Sequence, residues 1–313
     1  MPSVRPWRAL SAGDVVALLA PASWSDDGWI ERSVAQLESW GFQVRLGAHA
    51  RDRRGYLAGR DEDRLADLNS AIRDPEVRAI VCLRGGCGSF RVLHGIDIQA
   101  LRRDPKPLVG FSDITALHRV WHSIGVPSLH GAVAGAHAKT VRDLLLGHVP
   151  HVVRAIPTQF GAELTRPGTA SGPLFGGNLE LLARTVGVLD FDLQGHVLLL
   201  EASKAAGLGM IDRAMTQLIM SGALDGITGI ALGCLEGFDD YEDRGWTIID
   251  VLRDRFDLLG VPVLAGLPLG HLADPITVPL SVDCGLDLER RELTCSPAAT
   301  KDPPDAPGTR TSA

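Results

Sequence analysis

The sequence predicts an α/β protein whose two domains share a cleft. The first half alternates short apolar runs with amphipathic stretches, and its two sharpest turns come directly after apolar runs. The length of 313 residues exceeds what one hydrophobic core usually supports, and an apolar fraction of 45% is enough for an ordinary core. A parallel sheet covered by helices is therefore expected in the first half.

The first half follows a repeated β-α-β pattern. Ile30, Val34 and Leu37 give the first helix an apolar face, and Gly41 ends it. The predicted strands are Asp14–Leu19, Phe42–Leu46, Ala79–Leu83 and Pro107–Phe111, and the predicted helices are Trp29–Trp40, Asp61–Arg73 and Ile114–Ile124. Ligands bind at the carboxyl ends of the strands in open α/β sheets, so the turns after the last two strands are candidate site positions.

The periodicity fades between His148 and Thr169, where prolines accumulate, and this indicates an interdomain connection. The predicted division is a domain at 1–150, a linker at 151–170, a domain at 171–295 and a disordered tail at 296–313. The second domain is predicted to contain strands at Val197–Glu201, Gly229–Gly233, Pro262–Gly266 and near Leu286–Cys295, and a helix at Met210–Ser221. A glycine turn at Phe175–Leu179 is expected to lead into a helix and either to line the cleft or only to join the domains.

Composition argues against several classes of partner. The formal net charge is -7, which gives no electrostatic footprint for nucleic acid. The apolar run Val15–Ala22 is about half the length that a membrane span requires and follows Asp14 rather than a basic region, so we expect neither a signal peptide nor a membrane segment. Five scattered cysteines indicate no disulfide framework and no zinc site, which favours the cytoplasm.

Ser112 directly follows a predicted buried strand and precedes a helix. A serine on such a tight turn exposes its hydroxyl, and the N–H of the next residue, Asp113, then supplies one donor of an oxyanion hole. The alternative is that Ser112 and Asp113 cap the helix, assisted by Thr115. The common G-x-S-x-G spacing is absent, so the local sequence leaves both interpretations open.

A glycine cluster, Arg-Gly-Gly-Cys-Gly-Ser at residues 84–89, follows the neighbouring predicted strand. Its bare backbone can approach a ligand closely and donate a second oxyanion N–H. A simple strand-to-helix turn is the alternative. A nucleotide-binding loop is disfavoured because neither G-x-G-x-x-G nor a G-K-[ST] ending is present.

A serine nucleophile needs a base, and the base needs a group that orients it. His271 ends an apolar strand and loop in the second half, where it can face the cleft or lie at the surface, and His130 is the rival base. His118 and His122, four residues apart on a helix, are expected to be solvated rather than metal ligands. Glu201 ends a buried apolar run, so its carboxylate needs a partner, either a histidine, a salt bridge or a helix cap.

Together these segments resemble the LD-carboxypeptidase family of serine peptidases, over almost all of residues 5–295. The matching stretches are Ala20–Ser23, Asp61–Leu68, Ala79–Ser89, Gly110–Leu117, Gly176–Leu179, Leu200–Glu201, Ile211–Arg213 and Gly270–His271. The resemblance implies a flavodoxin-like N-terminal domain, a β-rich α/β C-terminal domain and a homodimer, with no metal and no organic cofactor.

The resemblance also implies a Ser-Glu-His triad, which falls on Ser112, Glu201 and His271, and an oxyanion hole formed by the N–H groups of Asp113 and Gly86. Arg84, Gly85 and Asn178 lie in matching motifs and are candidate substrate-binding residues. The implied activity is hydrolysis of the bond between a diamino acid and the terminal D-alanine of a murein tetrapeptide in the cytoplasm, a step in cell-wall recycling.

Three departures from the family pattern bear on that activity. Ala202 stands where an aspartate is common, Cys87 replaces a common aromatic residue, and residues 202–209 are unusually rich in Gly and Ala. The microcin C immunity peptidases of the family tend to carry a tryptophan where this chain has Val186, which favours a peptidoglycan substrate. The alternatives are a microcin-like aminoacyl-adenylate hydrolase, a catalytically weakened binding homologue and a nucleotide-binding protein.

Overall fold

The computed structural model describes residues 4–133, 138–147, 151–189 and 192–300. Within these ranges two sheets flanked by helices form two domains, which confirms the predicted α/β class. The strands are β1 (Trp7–Arg8), β2 (Val15–Leu19), β3 (Gln43–Leu46), β4 (Val77–Cys82), β5 (Leu108–Gly110), β6 (Ser128–His130), β7 (His151–Arg154), β8 (Thr169–Asn178), β9 (Val197–Ser203), β10 (Gly229–Glu236), β11 (Glu242–Asp243), β12 (Trp246–Thr247), β13 (Val263–Ala265), β14 (Val278–Leu280), β15 (Asp283–Asp287), β16 (Glu292–Cys295) and β17 (Ala299–Thr300). The α-helices are α1 (Asp27–Ser39), α2 (Asp61–Arg73), α3 (Ile98–Arg103), α4 (Thr115–Ser123), α5 (Lys139–Leu145), α6 (Leu179–Arg184), α7 (Leu208–Met220) and α8 (Ile248–Leu259).

The first sheet has six strands in the order β14-β6-β5-β4-β2-β3. All its pairs are parallel except β14 with β6, where Val278 lies opposite His130. The five parallel strands follow the order of a flavodoxin-like sheet, whose ligands bind where the connections diverge in opposite directions. In this chain that point lies between β2 and β4, so the loops after these two strands border the expected site.

The second sheet has seven strands in the order β13-β10-β9-β8-β15-β16-β7. The first four strands are parallel, and β15, β16 and β7 add antiparallel pairs. Glu201 therefore lies on β9, a central parallel strand whose residues Val197–Leu200 are buried. The apolar run that predicted a buried strand is thus an interior strand of this sheet.

Two predicted elements of the second half are wrong. A single closing strand is expected near Leu286–Cys295, but this segment contains parts of two antiparallel strands, β15 and β16, which form a hairpin with Leu286 opposite Leu293. The glycine turn at Phe175–Leu179 is instead the end of the ten-residue strand β8, although the helix expected after it is present as α6. Gly176 and Gly177 adopt φ values of 148° and 144° within that strand, which explains why glycine occurs there without forming a turn.

The division of the chain into domains stays a prediction, and the structure adds detail to it. Strand β7 lies within the predicted linker and joins the second sheet, while β14 lies within the predicted second domain and joins the first sheet. In the predicted tail, β17 pairs in parallel with β1, and residues 301–313 lie outside the described part of the chain.

One hydrophobic core runs from the first sheet into the second, and a smaller core lies between the first sheet and helices α2, α3 and α4. Strands of both sheets therefore contribute to one continuous core. No helix in the described ranges is long and apolar enough to cross a membrane.

Candidate active site

Ser112 lies on a strained turn at the carboxyl end of β5. Its φ is +62°, in the left-handed region that residues other than glycine rarely adopt. It begins a short 3-10 helix, Ser112–Ile114, which runs directly into α4. Such strain costs of order 1 to 3 kcal/mol and persists only where the surroundings impose it. The turn therefore has the geometry of a nucleophile elbow, although the G-x-S-x-G spacing is missing.

The glycine loop after β4 packs against this turn. A Cβ atom at Gly85 would lie 2.9 Å from Ser112 Cβ and 3.0 Å from both the Asp113 nitrogen and the Phe111 carbonyl oxygen, so only glycine fits. Ser89 fixes the two loops together, because its N–H donates to Asp113 Oδ2 at 2.8 Å and its hydroxyl donates to the Asp113 carbonyl oxygen at 2.6 Å. The loop thus lies beside Ser112, where an oxyanion would form.

The structure brings Ser112, His271 and Glu201 together from three distant parts of the chain. His271 Nε2 lies 3.0 Å from Ser112 Oγ, and His271 Nδ1 lies 2.6 Å from Glu201 Oε2. Because Glu201 accepts from Nδ1–H, the neutral ring carries its lone pair at Nε2 and can take the serine proton.

Glu201 is fully buried near the carboxyl end of β9, and His271 lies in the loop after β13 with its side chain about one fifth exposed. Gly270 allows the close approach of that loop, because a Cβ atom there would lie 2.8 Å from both Cβ and Cγ of Glu201. The backbone of Gly270 has a φ of +93°, which also favours glycine. The histidine is thus held against the carboxylate by backbone geometry.

Two opposing effects set the pKa of His271. Burial alone would lower it, but the hydrogen bond and negative charge of Glu201 outweigh burial, and Glu236 adds a smaller attraction. The pKa of His271 is therefore raised above its usual value. This is the electrostatic arrangement of a base whose protonated form is stabilised by a fixed carboxylate.

A cavity of about 510 Å³ between the two domains borders Ser112 and His271 and is large enough for a short peptide. Ser112 and His271 line it, together with Gly85 and Gly86 from the glycine loop and Arg84, whose side chain is exposed. Of the predicted site residues, these five therefore border one space.

Asn178 lies elsewhere. Its side-chain oxygen accepts from the backbone N–H of Leu181 at 3.2 Å and so caps α6, and its own N–H donates to Thr115 Oγ1 at 3.1 Å. The side chain is 5% exposed and does not line the cavity. Its contacts indicate a structural role between the two domains, and the predicted part in substrate binding has no support from them.

The prediction that His118 and His122 are solvated is wrong, because both are buried. His118 Nε2 donates to the Gly110 carbonyl oxygen at 2.9 Å and its Nδ1 accepts from Ser128 Oγ at 2.8 Å, and burial lowers its pKa to about 4. His118 therefore stays neutral and holds the strand just before the turn. His118 lies four residues after Ile114 and three before Trp121, so it shares the apolar face of the helix with them. This spacing is the sequence pattern that indicates burial of His118.

His130, the rival base, is also buried, and neither of its ring nitrogens has a hydrogen-bond partner among the described residues. Its ring centre lies 6.3 Å from that of Phe111, which lines the cavity, whereas His130 itself does not line it. Burial is the main reason that its pKa is well below the usual value. The imidazole in contact with Ser112 is that of His271.

A strained serine, an imidazole and a buried carboxylate in one hydrogen-bonded series are the features of a serine hydrolase site, here carried on an α/β fold. The chain belongs to the LD-carboxypeptidase family: residues 16–131 match the family's N-terminal domain and residues 171–286 match its C-terminal domain. That membership confirms the predicted class, a serine-type carboxypeptidase.

Curated relatives support the same assignment. The chain is 34% identical over 290 residues to a probable murein peptide carboxypeptidase of Bacillus subtilis, covering 90% of this chain and 91% of that one. It is also 34% identical over 281 residues to the murein tetrapeptide carboxypeptidase of Pseudomonas aeruginosa, covering 82% of this chain and 87% of that one.

Solved structures share the fold. A muramoyltetrapeptide carboxypeptidase from Oxalobacter formigenes superposes with a TM-score of 0.79 at 24% identity, covering 91% of this chain and all of that one. The microcin C7 self-immunity protein MccF without ligand superposes with a TM-score of 0.82 at 20% identity, covering 93% of this chain and 98% of that one. At these identities the likeness establishes the fold alone.

Proposed function

We propose that this protein is an LD-carboxypeptidase that removes the terminal D-alanine from murein tetrapeptides, with Ser112 as nucleophile, His271 as general base and Glu201 as the residue that orients the base. The observation that carries the proposal is the series Ser112 Oγ, His271 Nε2, His271 Nδ1 and Glu201 Oε2, with contacts of 3.0 and 2.6 Å beside a peptide-sized cavity.

In the first step Ser112 Oγ attacks the carbonyl carbon that precedes D-alanine, and its proton passes to His271 Nε2. The negative oxygen that forms is held by the N–H groups of Asp113 and Gly86, and removal of one such donor costs about 3 to 4 kcal/mol in comparable enzymes. The carbon–nitrogen bond then breaks, and His271 returns the proton to the amine of D-alanine.

In the second step water attacks the acyl ester, His271 accepts a proton from that water, and the proton then restores the Ser112 hydroxyl. Glu201 stabilises the imidazolium in both steps, because its carboxylate is buried beside Nδ1. The hydroxyl, the imidazole and the backbone donors supply all the chemistry, so the proposed mechanism uses neither a metal nor an organic cofactor.

The test is release of D-alanine from purified murein tetrapeptide, followed by mass spectrometry, with EDTA in a parallel assay. Wild type should release D-alanine with and without EDTA, and Ser112→Ala, Glu201→Ala and His271→Ala should each release far less. His94→Ala is the matched control, since His94 is exposed on a short helix outside the cavity and should keep full activity. Release by Ser112→Ala at the wild-type rate would refute the assignment of the nucleophile.

An aminoacyl-adenylate substrate, as in the microcin branch of the family, is the second candidate. Its support is the relationship to the microcin C7 self-immunity protein MccF in sequence and in fold, but Val186 here packs against the core where that branch tends to carry a tryptophan. Hydrolysis of an aminoacyl sulfamoyl adenosine, with no release of D-alanine from tetrapeptide, would favour it.

The cytoplasmic location and the homodimer predicted from the family resemblance are carried forward as proposals. Light scattering of the purified protein would test the dimer, because the chain has a mass of 33.4 kDa and a dimer would have twice that mass. A monomer at micromolar concentration would contradict this part of the proposal.

A further inference from the structure

A carboxypeptidase must recognise the free carboxylate of the residue that it removes. The carbon of that carboxylate is three bonds from the carbonyl carbon that the serine attacks, a span of less than about 4 Å. The groups that bind it must therefore line the same cavity as Ser112. This reasoning rests on the proposed function and asks which side chains of the cavity suit an anion.

Among the described residues that line the cavity, Arg84 is the only one with a permanent positive charge. It immediately precedes Gly85, whose backbone packs against Ser112. No carboxylate of the described chain forms an ion pair with Arg84, and its Nη1 makes one long contact, 3.4 Å, with the Trp24 carbonyl oxygen. The Arg84 side chain is thus exposed at the cavity that Ser112 also lines, with most of its donors available to a ligand.

Ser25 lines the same cavity and is 3% exposed. Its hydroxyl oxygen is buried and has no hydrogen-bond partner among the described residues. A buried hydroxyl without a partner costs free energy, so such groups are unusual unless a ligand or water satisfies them. Ser25 therefore provides an independent indication that a polar ligand binds at this end of the cavity.

The N-terminus of α1 is close to both Arg84 and Ser25 in the fold, because Ser25 directly precedes Asp26, the N-cap of the helix. Trp29 Nε1 donates to the Leu83 carbonyl oxygen at 2.8 Å, which fixes the first turn of α1 beside Arg84. Asp26 also lines the cavity, but its carboxylate accepts from the Trp29 N–H at 2.8 Å and caps the helix, whose positive end offsets its charge.

We propose that Arg84 and Ser25 form the subsite that binds the α-carboxylate of the leaving amino acid, beside the first turn of α1. Arg84 supplies a charged hydrogen-bond fork and Ser25 a neutral donor. The subsite makes the enzyme a carboxypeptidase rather than an endopeptidase, because a substrate that continues beyond this residue has no carboxylate to place there.

The experiment compares murein tetrapeptide with its C-terminal carboxamide in wild type and in Arg84→Ala. Wild type should prefer the free acid. Arg84→Ala should lower kcat/KM for the acid by about 10- to 150-fold, the usual value of a hydrogen bond to a charged group, and for the amide by less than about threefold. Arg53→Ala is the matched control, since Arg53 lies over the Trp24 ring outside the cavity and its loss should leave the ratio of acid to amide unchanged.

Binding provides a second measurement that does not depend on turnover. In the Ser112→Ala background, Arg84→Ala should weaken the calorimetric affinity for the acid and leave that for the amide unchanged. Ser25→Ala should reduce kcat/KM for the acid about tenfold without lowering Tm, because it removes a buried oxygen that has no partner in the free protein. A structural role for Ser25 would instead lower Tm.

The outcomes separate this inference from the function on which it rests. If wild type releases neither D-alanine nor D-alaninamide, the proposed function itself fails. If wild type hydrolyses the tetrapeptide but Arg84→Ala lowers acid and amide equally, or lowers neither, then the function stands and the carboxylate subsite is refuted.

Discussion

Replacing Glu201 with glutamine removes the negative charge behind His271 and keeps the shape of the side chain. The carboxylate oxygen lies 2.6 Å from His271 Nδ1 in a fully buried setting. Two unit charges about 4 Å apart attract by about 4 kcal/mol at an effective dielectric constant of 20. If this attraction is realised mainly when the imidazole becomes protonated, Glu201→Gln should lower kcat/KM about a thousandfold.

The same variant should change the pH profile in a defined direction. Activity needs neutral His271, and Glu201 is the group that raises the pKa of that imidazole. Without the charge the pKa falls, so the acid limb of kcat/KM should move to lower pH while the plateau falls. An effect on folding alone would lower the plateau without moving the limb.

The assay is D-alanine release between pH 5 and pH 9 for wild type and Glu201→Gln, with a thermal melt of each protein as the folding control. A loss of less than tenfold, or an acid limb that moves to higher pH, would refute the role assigned to Glu201. Glu236→Gln is the matched comparison, since Glu236 is exposed and attracts His271 more weakly, so its loss should move the limb less.

Three further predictions follow from the geometry. Gly85→Ala places a Cβ atom 2.9 to 3.0 Å from Ser112 and its neighbours, so it should displace the turn that carries Ser112 and lower kcat/KM about a hundredfold. Wild-type kinetics in this variant would show that the close contact between the glycine loop and the Ser112 turn is not required. Ser112→Gly should be about 0.5 to 1 kcal/mol more stable to urea than Ser112→Ala, because a φ of +62° is strained for alanine and unstrained for glycine. Equal stability of the two variants would contradict the proposed backbone strain. Burial lowers the pKa of His118 to about 4 in the folded protein, whereas the unfolded chain has the ordinary value of about 6.5. The free energy of unfolding, measured by urea titration, should therefore fall by about 3 kcal/mol as the pH drops from above 6.5 to 4. A His118→Gln variant with the same pH dependence as wild type would contradict this prediction.

Much of the first domain could be predicted from its sequence. The sequence predicts the bounds of α2, Asp61–Arg73, correctly and those of strands β2 to β5 within two residues, because apolar runs of strand length alternate there with amphipathic helices. It does not predict the two-residue strand β1. The second domain was harder. Strand β8 contains glycines with positive φ, and its backbone fits closely against Leu199, a requirement that only the neighbouring strand imposes.

The sequence by itself determined which residue types were candidates. Ser112 after a buried strand, a glycine loop after the neighbouring, preceding strand and Glu201 at the end of an apolar run are local patterns with local physical causes. Only the tertiary structure decided that Glu201 and His271, 70 residues apart, form a hydrogen bond, and that His271 rather than His130 contacts Ser112. The reason is that a hydrogen bond acts over about 3 Å, and such proximity is set by the pairing of strands and the packing of the two sheets, which no local pattern contains.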